Sequence, residues 1–490
     1  MLLSVVLDMH AVENFGAIDA DADMLLRECF QDHPAYRDAS SLACFLIIGR
    51  KGSGKTAIYK RLIQERDPQV LSYGHSFDDY PWNHHDLQAE SGVPEERRYI
   101  HSWKYLILMS LAKLLLNVDQ SQPWDEQVVD SMSTLEDFVI DSYGSRDPDL
   151  RQLFSPEREL RFKGALRLKV IEITGERLPV RELPIHVQEV NRAIQDHVLN
   201  ALNPTNKYFV CFDQLDLGFT TTDPQYAQRL TGLILAARDL YLAARDAERQ
   251  LNVVVFLRDD IYQDLQFEDK NKITENLSTE VRWSVADGAL TLKQLMESRF
   301  GQVLGGGGTI SWDSVFDESK EMPSRQSKYR HICDRTFLRP RDMIKFCNEV
   351  LAAYKGQGLP RGALIDNASV HAARDAYSDY LLNELDDEIA KHVPKYKDYL
   401  EVVKELGSLQ FSAEEFRTAW EKRASLRAVD AIVGLSELFE FSVVGYLKPG
   451  GSGGGSEYVW RYHDPRARFS PTAETYRVHA GFKEALDLTR

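Results

Sequence analysis

The chain has 490 residues, of which 43% are apolar, and a formal net charge of −16. This length predicts two or three domains with ample core, and the negative charge argues against nucleic-acid binding by the chain as a whole. An apolar run near 18 residues is missing, which argues against a membrane-spanning helix. Five scattered cysteines without zinc spacing indicate reduced thiols and a cytoplasmic location.

The first predicted helix lies before residue 40. Asp19 to Phe30 carries apolar residues at Met24, Leu25 and Leu26. We expect this segment to pack beside the first core domain.

A glycine-rich sequence follows the first predicted core strand, residues 43–48. It matches G-x-x-x-x-G-K-[ST] at every fixed position and precedes a predicted helix. Backbone N–H groups of such a loop surround phosphate oxygens, and the helix N-terminus adds positive charge. The pattern therefore predicts a nucleotide-binding loop of Gly49, Arg50, Lys51, Gly52, Ser53, Gly54, Lys55, Thr56 and Ala57.

Two other interpretations of this loop are a plain glycine turn and a dinucleotide-binding turn, since Gly52-x-Gly54-x-x-Ala57 fits that fingerprint. Lys55 and Thr56 favour the nucleotide loop. The lysine reaches β- and γ-phosphates, and the threonine hydroxyl is a ligand for Mg²⁺.

The next segments alternate between strand and helix patterns. Val70–Tyr73 is a short predicted strand, and Tyr99–Leu116 is a predicted buried helix. Residues 117–200 are charged, mostly helical by pattern and interrupted by prolines, which indicates a helical insertion.

Two continuous apolar runs predict further core strands. Lys207 to Asp213 ends in a carboxylate, and Asn252 to Arg258 ends in a guanidinium. Continuous Val, Ile and Phe runs separated by helices are typical of a parallel sheet that is covered on both faces. The predicted fold class is therefore α/β.

The polar residues at and just after these strand ends are the candidates for binding the metal and for catalysis. We predict that Asp213 ends a strand that neighbours the strand before the glycine loop and lies, with Thr56, on the Mg²⁺ side of the site, because an unpaired buried charge is costly. The alternatives for Asp213 are a helix N-cap and a salt-bridged surface residue. Either Asp216 or Gln214 would orient the attacking water, and glutamine is a poor base. Arg258 would sense the γ-phosphate, or would pair with Asp213 or the following aspartates.

The rest of the chain predicts two smaller regions. Residues 301–394 form a helical lid, in which Arg341, rather than Arg339, starts a helix after a proline and reaches the phosphates. Residues 395–490 predict three helices and a hairpin, the pattern of a winged helix. Its Gly/Ser stretch, residues 450–456, fits a wing or an artificial linker.

Arg282 and Arg299 are candidate arginine fingers, which would insert into the site of a neighbouring copy of the chain.

The motifs, in this order, resemble those of the AAA+/STAND group of P-loop ATPases. The chain is also similar to a poorly characterised bacterial P-loop ATPase family at residues 15–17, 49–55, 77–82 and 478–482. The resemblance implies an ATPase core over residues 1–300, ATP and Mg²⁺ as ligands, a homo-oligomer and a separate protein effector. By analogy, it points to bacterial anti-phage defence.

Three functions compete at this point. One is an ATP-dependent regulatory switch, and the second is a DNA-binding ATPase that uses the winged helix. The second has some support from Arg461, Arg466 and Arg468, but residues 395–490 carry 14 basic and 14 acidic residues, so their net charge is zero. The third, a small-molecule kinase, does not explain a chain of this length. Adjacent histidines at positions 84 and 85 are expected to be solvated loop residues.

Overall fold

The structure is a computed structural model that describes residues 7–76, 99–153, 159–162, 177–179, 183–216, 224–284, 290–450 and 455–489. The chain divides into two compact units. The sheet unit contains Asp32–Arg50 and Lys55–Val281, and the C-terminal unit contains Met1–Gln31, Lys51–Gly54 and Arg282–Arg490. The predicted lid and winged-helix boundaries are a different division and stay predictions.

The sheet unit is built on a parallel sheet of five strands in the order β2-β5-β6-β1-β7. Side chains of β1, β5 and β6 are almost all buried, as expected for parallel strands with both faces covered. A separate antiparallel pair, β3-β4, lies in the predicted helical insertion. The strands are β1 Leu46–Gly49, β2 Val70–Ser76, β3 Glu159–Arg161, β4 Arg177–Pro179, β5 Lys207–Asp213, β6 Gln250–Arg258 and β7 Ser278–Glu280.

Helices cover this sheet, and the longest of them form its main core. Helix α3 is apolar around most of its circumference because it packs against α6, α7 and the sheet. The helices are α1 Pro34–Ser40, α2 Lys55–Ile63, α3 Ile100–Asn117, α4 Val129–Tyr143, α5 Leu150–Leu153, α6 Leu183–Ala201, α7 Pro224–Asp246, α8 Asp259–Asp264 and α9 Lys270–Asn276. The α/β class with a parallel sheet is thereby confirmed.

The C-terminal unit is mainly helical and ends in a small antiparallel sheet of order β10-β9-β11-β8. Its helices are α10 Leu292–Gly305, α11 Lys328–Cys333, α12 Pro340–Gly356, α13 Asn367–Ala372, α14 Arg374–Ile389, α15 Tyr396–Leu406, α16 Ala413–Glu421 and α17 Ala431–Glu440. Its strands are β8 Gln410–Phe411, β9 Val444–Lys448, β10 Glu457–Val459 and β11 Tyr476–Val478. No helix in the described ranges is both long and apolar enough to span a membrane.

The predicted helix from Asp19 to Phe30 is wrong, because the segment consists of turns. Its apolar residues share no buried face, and Met24 is 91% exposed. What anchors the segment is polar: Asp23 is buried in an ion pair with Arg299. An Arg299 guanidinium N–H also donates to the Phe15 carbonyl at 3.0 Å.

Gly16 leaves the space that this buried ion pair needs. Its φ is +111°, and a Cβ built there would lie 1.9 Å from Nη1 of Arg299. We expect Gly16→Ala to cost about 3 kcal/mol of unfolding free energy, because it must break a buried pair. Urea unfolding would measure this loss.

Gly358→Ala is the matched control for Gly16→Ala in the same unit. Gly358 also has a positive φ, +65°, but a Cβ there meets no described atom within 4 Å. Its loss should be about 1 kcal/mol, the strain of a left-handed alanine. Equal losses in the two variants would contradict the packing explanation.

Candidate functional site

The strand ends of the sheet unit bring polar residues to one edge. Gly49 pairs in register with Arg258, and Ser76 pairs with Asp213. All four residues end parallel strands, so they lie at the carboxyl edge of the sheet. This edge is where open α/β sheets bind their ligands.

The strand that ends in Asp213 does not neighbour the strand before the glycine loop. Strand β6 lies between β1 and β5, so the expectation of a directly adjacent strand is wrong. Two strand spacings amount to about 10 Å. The Thr56 hydroxyl, on α2, nevertheless lies near enough to the Asp213 carboxylate to oppose the rise in its pKa.

Asp213 is a buried carboxylate that is only partly satisfied. Its residue exposure is 3%, and its Oδ2 has no hydrogen-bond partner among the described residues. Burial raises the pKa of Asp213, while bonds from the Thr56 hydroxyl and the Gln214 N–H act in the opposite direction. A hard cation prefers oxygen ligands of this kind, so Thr56 and Asp213 fit a Mg²⁺ position.

Lys55 begins α2 and holds the ends of the glycine loop. Its Nζ donates to the Gly49 carbonyl at 2.7 Å and to the Arg50 carbonyl at 3.0 Å. Burial lowers the pKa of Lys55, and the carboxylates of Asp216 and Asp213 oppose this effect. A phosphate would satisfy this half-buried ammonium better than the neutral carbonyl oxygens do.

Arg258 is buried among carboxylates at the same edge. Its Nη1 lies 3.2 Å from Asp216, and its Nε donates to Asp260 at 3.0 Å. A second bond runs from Nη2 to Asp260, so the pair is bidentate. The structure thus shows the pairing alternative for Arg258, while its role as a γ-phosphate sensor stays a prediction.

Gln214 has an unusual backbone conformation for a residue with a side chain. Its φ is +59°, and its amide oxygen accepts a hydrogen bond from the Ser76 hydroxyl. Left-handed non-glycine residues concentrate at functional sites. The bond orients this amide, although it also occupies the group that was predicted to orient water.

Asp259 is a residue that the sequence interpretation did not select. It opens α8, directly after Arg258. Burial raises the pKa of Asp259, and the positive charges of Arg50 and Lys55 oppose that effect. The signal in the sequence was the acidic pair at positions 259 and 260, which follows a strand-terminal arginine.

The predicted nucleotide loop is divided between the two units along the chain. Gly49, Arg50, Lys55, Thr56 and Ala57 belong to the sheet unit. The remaining four residues, which we call the loop tip, belong to the C-terminal unit; they are Lys51, Gly52, Ser53 and Gly54.

Both glycines of the loop tip have positive φ, +76° at Gly52 and +107° at Gly54. The indole N–H of Trp283 donates to the Ser53 carbonyl at 2.9 Å. Ser53 is 4% exposed, and its hydroxyl has no partner among the described residues. This geometry requires glycine at two positions and leaves a buried hydroxyl unsatisfied.

Arg339 holds the backbone of the loop tip. Its Nη1 donates to the Lys51 carbonyl at 3.1 Å and to Glu388 at 2.6 Å. Its other nitrogens form a bidentate pair with Asp342, and both residues are buried. Arg339 is therefore fully engaged by protein groups.

Arg341 packs against the loop tip itself. A Cβ at Gly52 would lie 3.2 Å from the Arg341 Cβ and Cδ atoms. Its Nη1 bonds Glu384 at 3.0 Å, and its buried Nε has no partner within the described part of the chain. Of Arg339 and Arg341, Arg341 thus has a buried donor that no described group uses, while its role at the phosphates stays a prediction.

The structure argues against one of the two candidate arginine fingers and leaves the other untested. Arg299 is 3% exposed and paired with Asp23, so it is not placed to act as an arginine finger. Arg282 stays a prediction. Residues 77–82, the histidines at 84 and 85, and residues 451–454 of the Gly/Ser stretch lie outside the described residues.

The predicted hairpin runs, residues 441–447 and 458–463, overlap the observed strands Val444–Lys448 and Glu457–Val459 only in part. Strands β9 and β10 pair antiparallel after three helices. Arg461 is engaged, with its Nε 2.9 Å from Glu440, whereas Arg466 and Arg468 are exposed. The helix before the hairpin, α17, contains no lysine or arginine in its sequence, which weakens the nucleic-acid prediction.

One protein family matches part of the chain. Residues 290–386 match the family described as the FunZ-associated C-terminal helical domain. This segment is about a fifth of the chain. It runs from α10 into α14 and includes Arg339, Arg341 and Glu384. No curated protein matches the chain.

Proposed function

We propose that this protein is a regulatory ATPase of the AAA+/STAND kind, which binds and hydrolyses ATP with Mg²⁺. The observation that carries the proposal is a strand–glycine turn–helix whose helix begins with half-buried Lys55 and whose Thr56 hydroxyl lies near the buried Asp213 carboxylate. A neutral ligand explains neither the half-buried ammonium of Lys55 nor the partly unsatisfied carboxylate of Asp213, and an anion without a metal explains only the ammonium. A triphosphate with its metal supplies both opposite charges.

Each residue has a defined task in this proposal. Lys55 transfers its hydrogen bonds from the loop carbonyls to the β- and γ-phosphates. Thr56 and Asp213 would hold Mg²⁺, which would supply positive charge beside the phosphates.

Asp216 is the better candidate for activating water. A carboxylate accepts a proton at neutral pH, while the amide of Gln214 does not. Asp216 is also 31% exposed in its side chain, so water reaches it, and Arg258 holds it at 3.2 Å. Arg258 would stabilise the charge that forms during phosphoryl transfer.

The regulatory part of the proposal rests on the loop tip. Arg339 and Arg341 contact it from the start of α12, so the helical segment that matches the FunZ-associated domain bears directly on the nucleotide loop. We propose that nucleotide binding resets this segment, the winged-helix region and a homo-oligomer, and thereby controls a separate effector in the cytoplasm. Anti-phage defence is the setting that the family resemblance supports.

Replacement of Asp216 by asparagine tests the proposed activity. We expect kcat for ATP to fall about 100-fold, the usual size of a general-base effect, while ATP affinity changes less than about threefold. Labelled-ATP binding and phosphate release by the full chain would measure both quantities.

Asp239→Asn is a matched control, because it also removes an aspartate that pairs with a basic residue, Lys104. It should leave both quantities unchanged. Normal hydrolysis by Asp216→Asn would show that the base is assigned to the wrong residue. A wild-type chain that binds no ATP would overturn the whole proposal.

A further inference from the structure

One carboxylate in the C-terminal unit bridges two cations at the loop tip. The Oε2 atom of Glu384, on α14, lies 3.0 Å from Nη1 of Arg341 and 3.4 Å from Nζ of Lys51. The three side chains are only 15%, 24% and 21% exposed, respectively. The bridge is therefore largely shielded from water. Ion pairs that are exposed to water contribute little to stability, so this shielding strengthens the bridge.

The neighbouring acids do not duplicate this arrangement. Asp387 reaches Lys51 at 2.8 Å, but its side chain is 68% exposed and no bond to Arg341 is recorded among the described residues. Glu388 is occupied by Arg339. Glu384 alone among these acids joins the lysine of the loop tip to the lid arginine.

A phosphate group has the same requirements as this carboxylate. Guanidinium and ammonium groups bind either anion through charge-assisted hydrogen bonds. The buried Nε of Arg341, which has no described partner, provides one donor more than Glu384 uses. A phosphate with three oxygens would satisfy that donor as well.

We propose that Glu384 lowers the affinity of the site for ATP relative to ADP, because its carboxylate competes with the γ-phosphate for Arg341 and Lys51. The inference rests on the proposed function. ADP has no γ-phosphate and leaves both ion pairs intact. ATP must displace Glu384, and this displacement releases α14 from the loop tip. Nucleotide state is thereby coupled to the helical segment.

The competition predicts an unusual gain of affinity on mutation. We expect Glu384→Gln to bind a non-hydrolysable ATP analogue about tenfold more tightly, the scale of a typical coupling between two ligands. ADP affinity should change less than about twofold, because only long-range repulsion is removed and salt screens it beyond about 8 Å. Titration calorimetry of the full chain with Mg²⁺ and each nucleotide would measure both affinities.

Glu349→Gln is the matched control in the same unit. It also removes a partly buried glutamate from a lysine pair, with Lys345, at side-chain exposures of 23% and 27%. It should change neither affinity. Glu384→Asp, which keeps the charge on a shorter side chain, should tighten analogue binding by a smaller factor, and it decides the question if the glutamine variant does not fold.

The outcomes separate this inference from the proposed function. If wild type binds the analogue but Glu384→Gln alters both nucleotides equally, or neither, the competition is refuted and the ATPase proposal stands. If wild type binds neither nucleotide, the ATPase proposal fails and takes this inference with it.

Discussion

Replacement of Lys55 by alanine is expected to weaken ATP binding at least about 100-fold and to abolish hydrolysis. The side chain supplies a half-buried ammonium that the loop carbonyls of Gly49 and Arg50 hold in place. Removing one partner of a buried charge pair costs about 3 kcal/mol or more, which corresponds to that factor. Labelled-ATP binding and phosphate release give the two numbers directly.

Lys55 also links the two ends of the glycine loop, so the charge effect must be separated from a loss of loop structure. Lys55→Met keeps most of the side-chain volume and should bind ATP as poorly as the alanine variant. Lys60→Ala removes a lysine from the same helix and should bind normally. If the methionine variant retains wild-type affinity, the ammonium is not the phosphate ligand.

The same variants bear on assembly. In the proposed switch, a non-hydrolysable analogue drives wild type towards a larger species in size-exclusion chromatography. Lys55→Ala should stay at its nucleotide-free size, because it has lost the ligand rather than the interface. An analogue-dependent shift in the alanine variant would separate assembly from this loop.

Local patterns in the sequence were sufficient to predict the strands that end in a charged residue. The run from Lys207 to Asp213 is β5 without change, and Arg258 ends β6 as predicted. Continuous apolar runs with one terminal polar residue have few other stable arrangements. The order of the strands could not be predicted from the sequence, because the placement of β6 between β1 and β5 depends on contacts between residues that are far apart in the chain.

The partners of the site residues were the least predictable feature. Arg339 donates to the carbonyl of Lys51, which lies 288 positions away, and no local signal marks that pairing. The same holds for Arg299, which pairs with Asp23 rather than facing solvent. A charged residue in a sequence shows that a partner is needed, but tertiary packing decides which residue provides it.

Replacement of Asp213 by asparagine is expected to abolish Mg²⁺-dependent hydrolysis and yet to stabilise the fold. The catalytic loss should be at least about 100-fold, because the carboxylate that would hold the metal is gone. The gain in stability follows from the raised pKa of Asp213, whose main cause is burial. Above that pKa the native protein bears the cost of a buried charge, and the asparagine variant does not.

The pH dependence fixes the sign of this prediction. As pH falls through the raised pKa, native Asp213 takes up a proton and its penalty disappears, so the advantage of the variant should shrink. Thermal unfolding should show a midpoint about 2 °C above wild type at neutral pH, and a smaller difference in acid. A variant that is less stable than wild type at neutral pH would contradict the assigned cause.

Asp119→Asn is the informative control, since it makes the same change at a buried aspartate with the opposite pKa shift. Although burial acts to raise the pKa of Asp119, bonds from Ser121, Tyr208 and Gln122 lower it overall. Its carboxylate therefore stabilises the fold above its unfolded pKa, and this contribution is lost as pH falls through the folded value. Asp119→Asn should be less stable than wild type at neutral pH, with ATP hydrolysis unchanged. Only a functional position is expected to trade stability for activity, and of these two aspartates Asp213 is the one that lies near Thr56 at the start of α2.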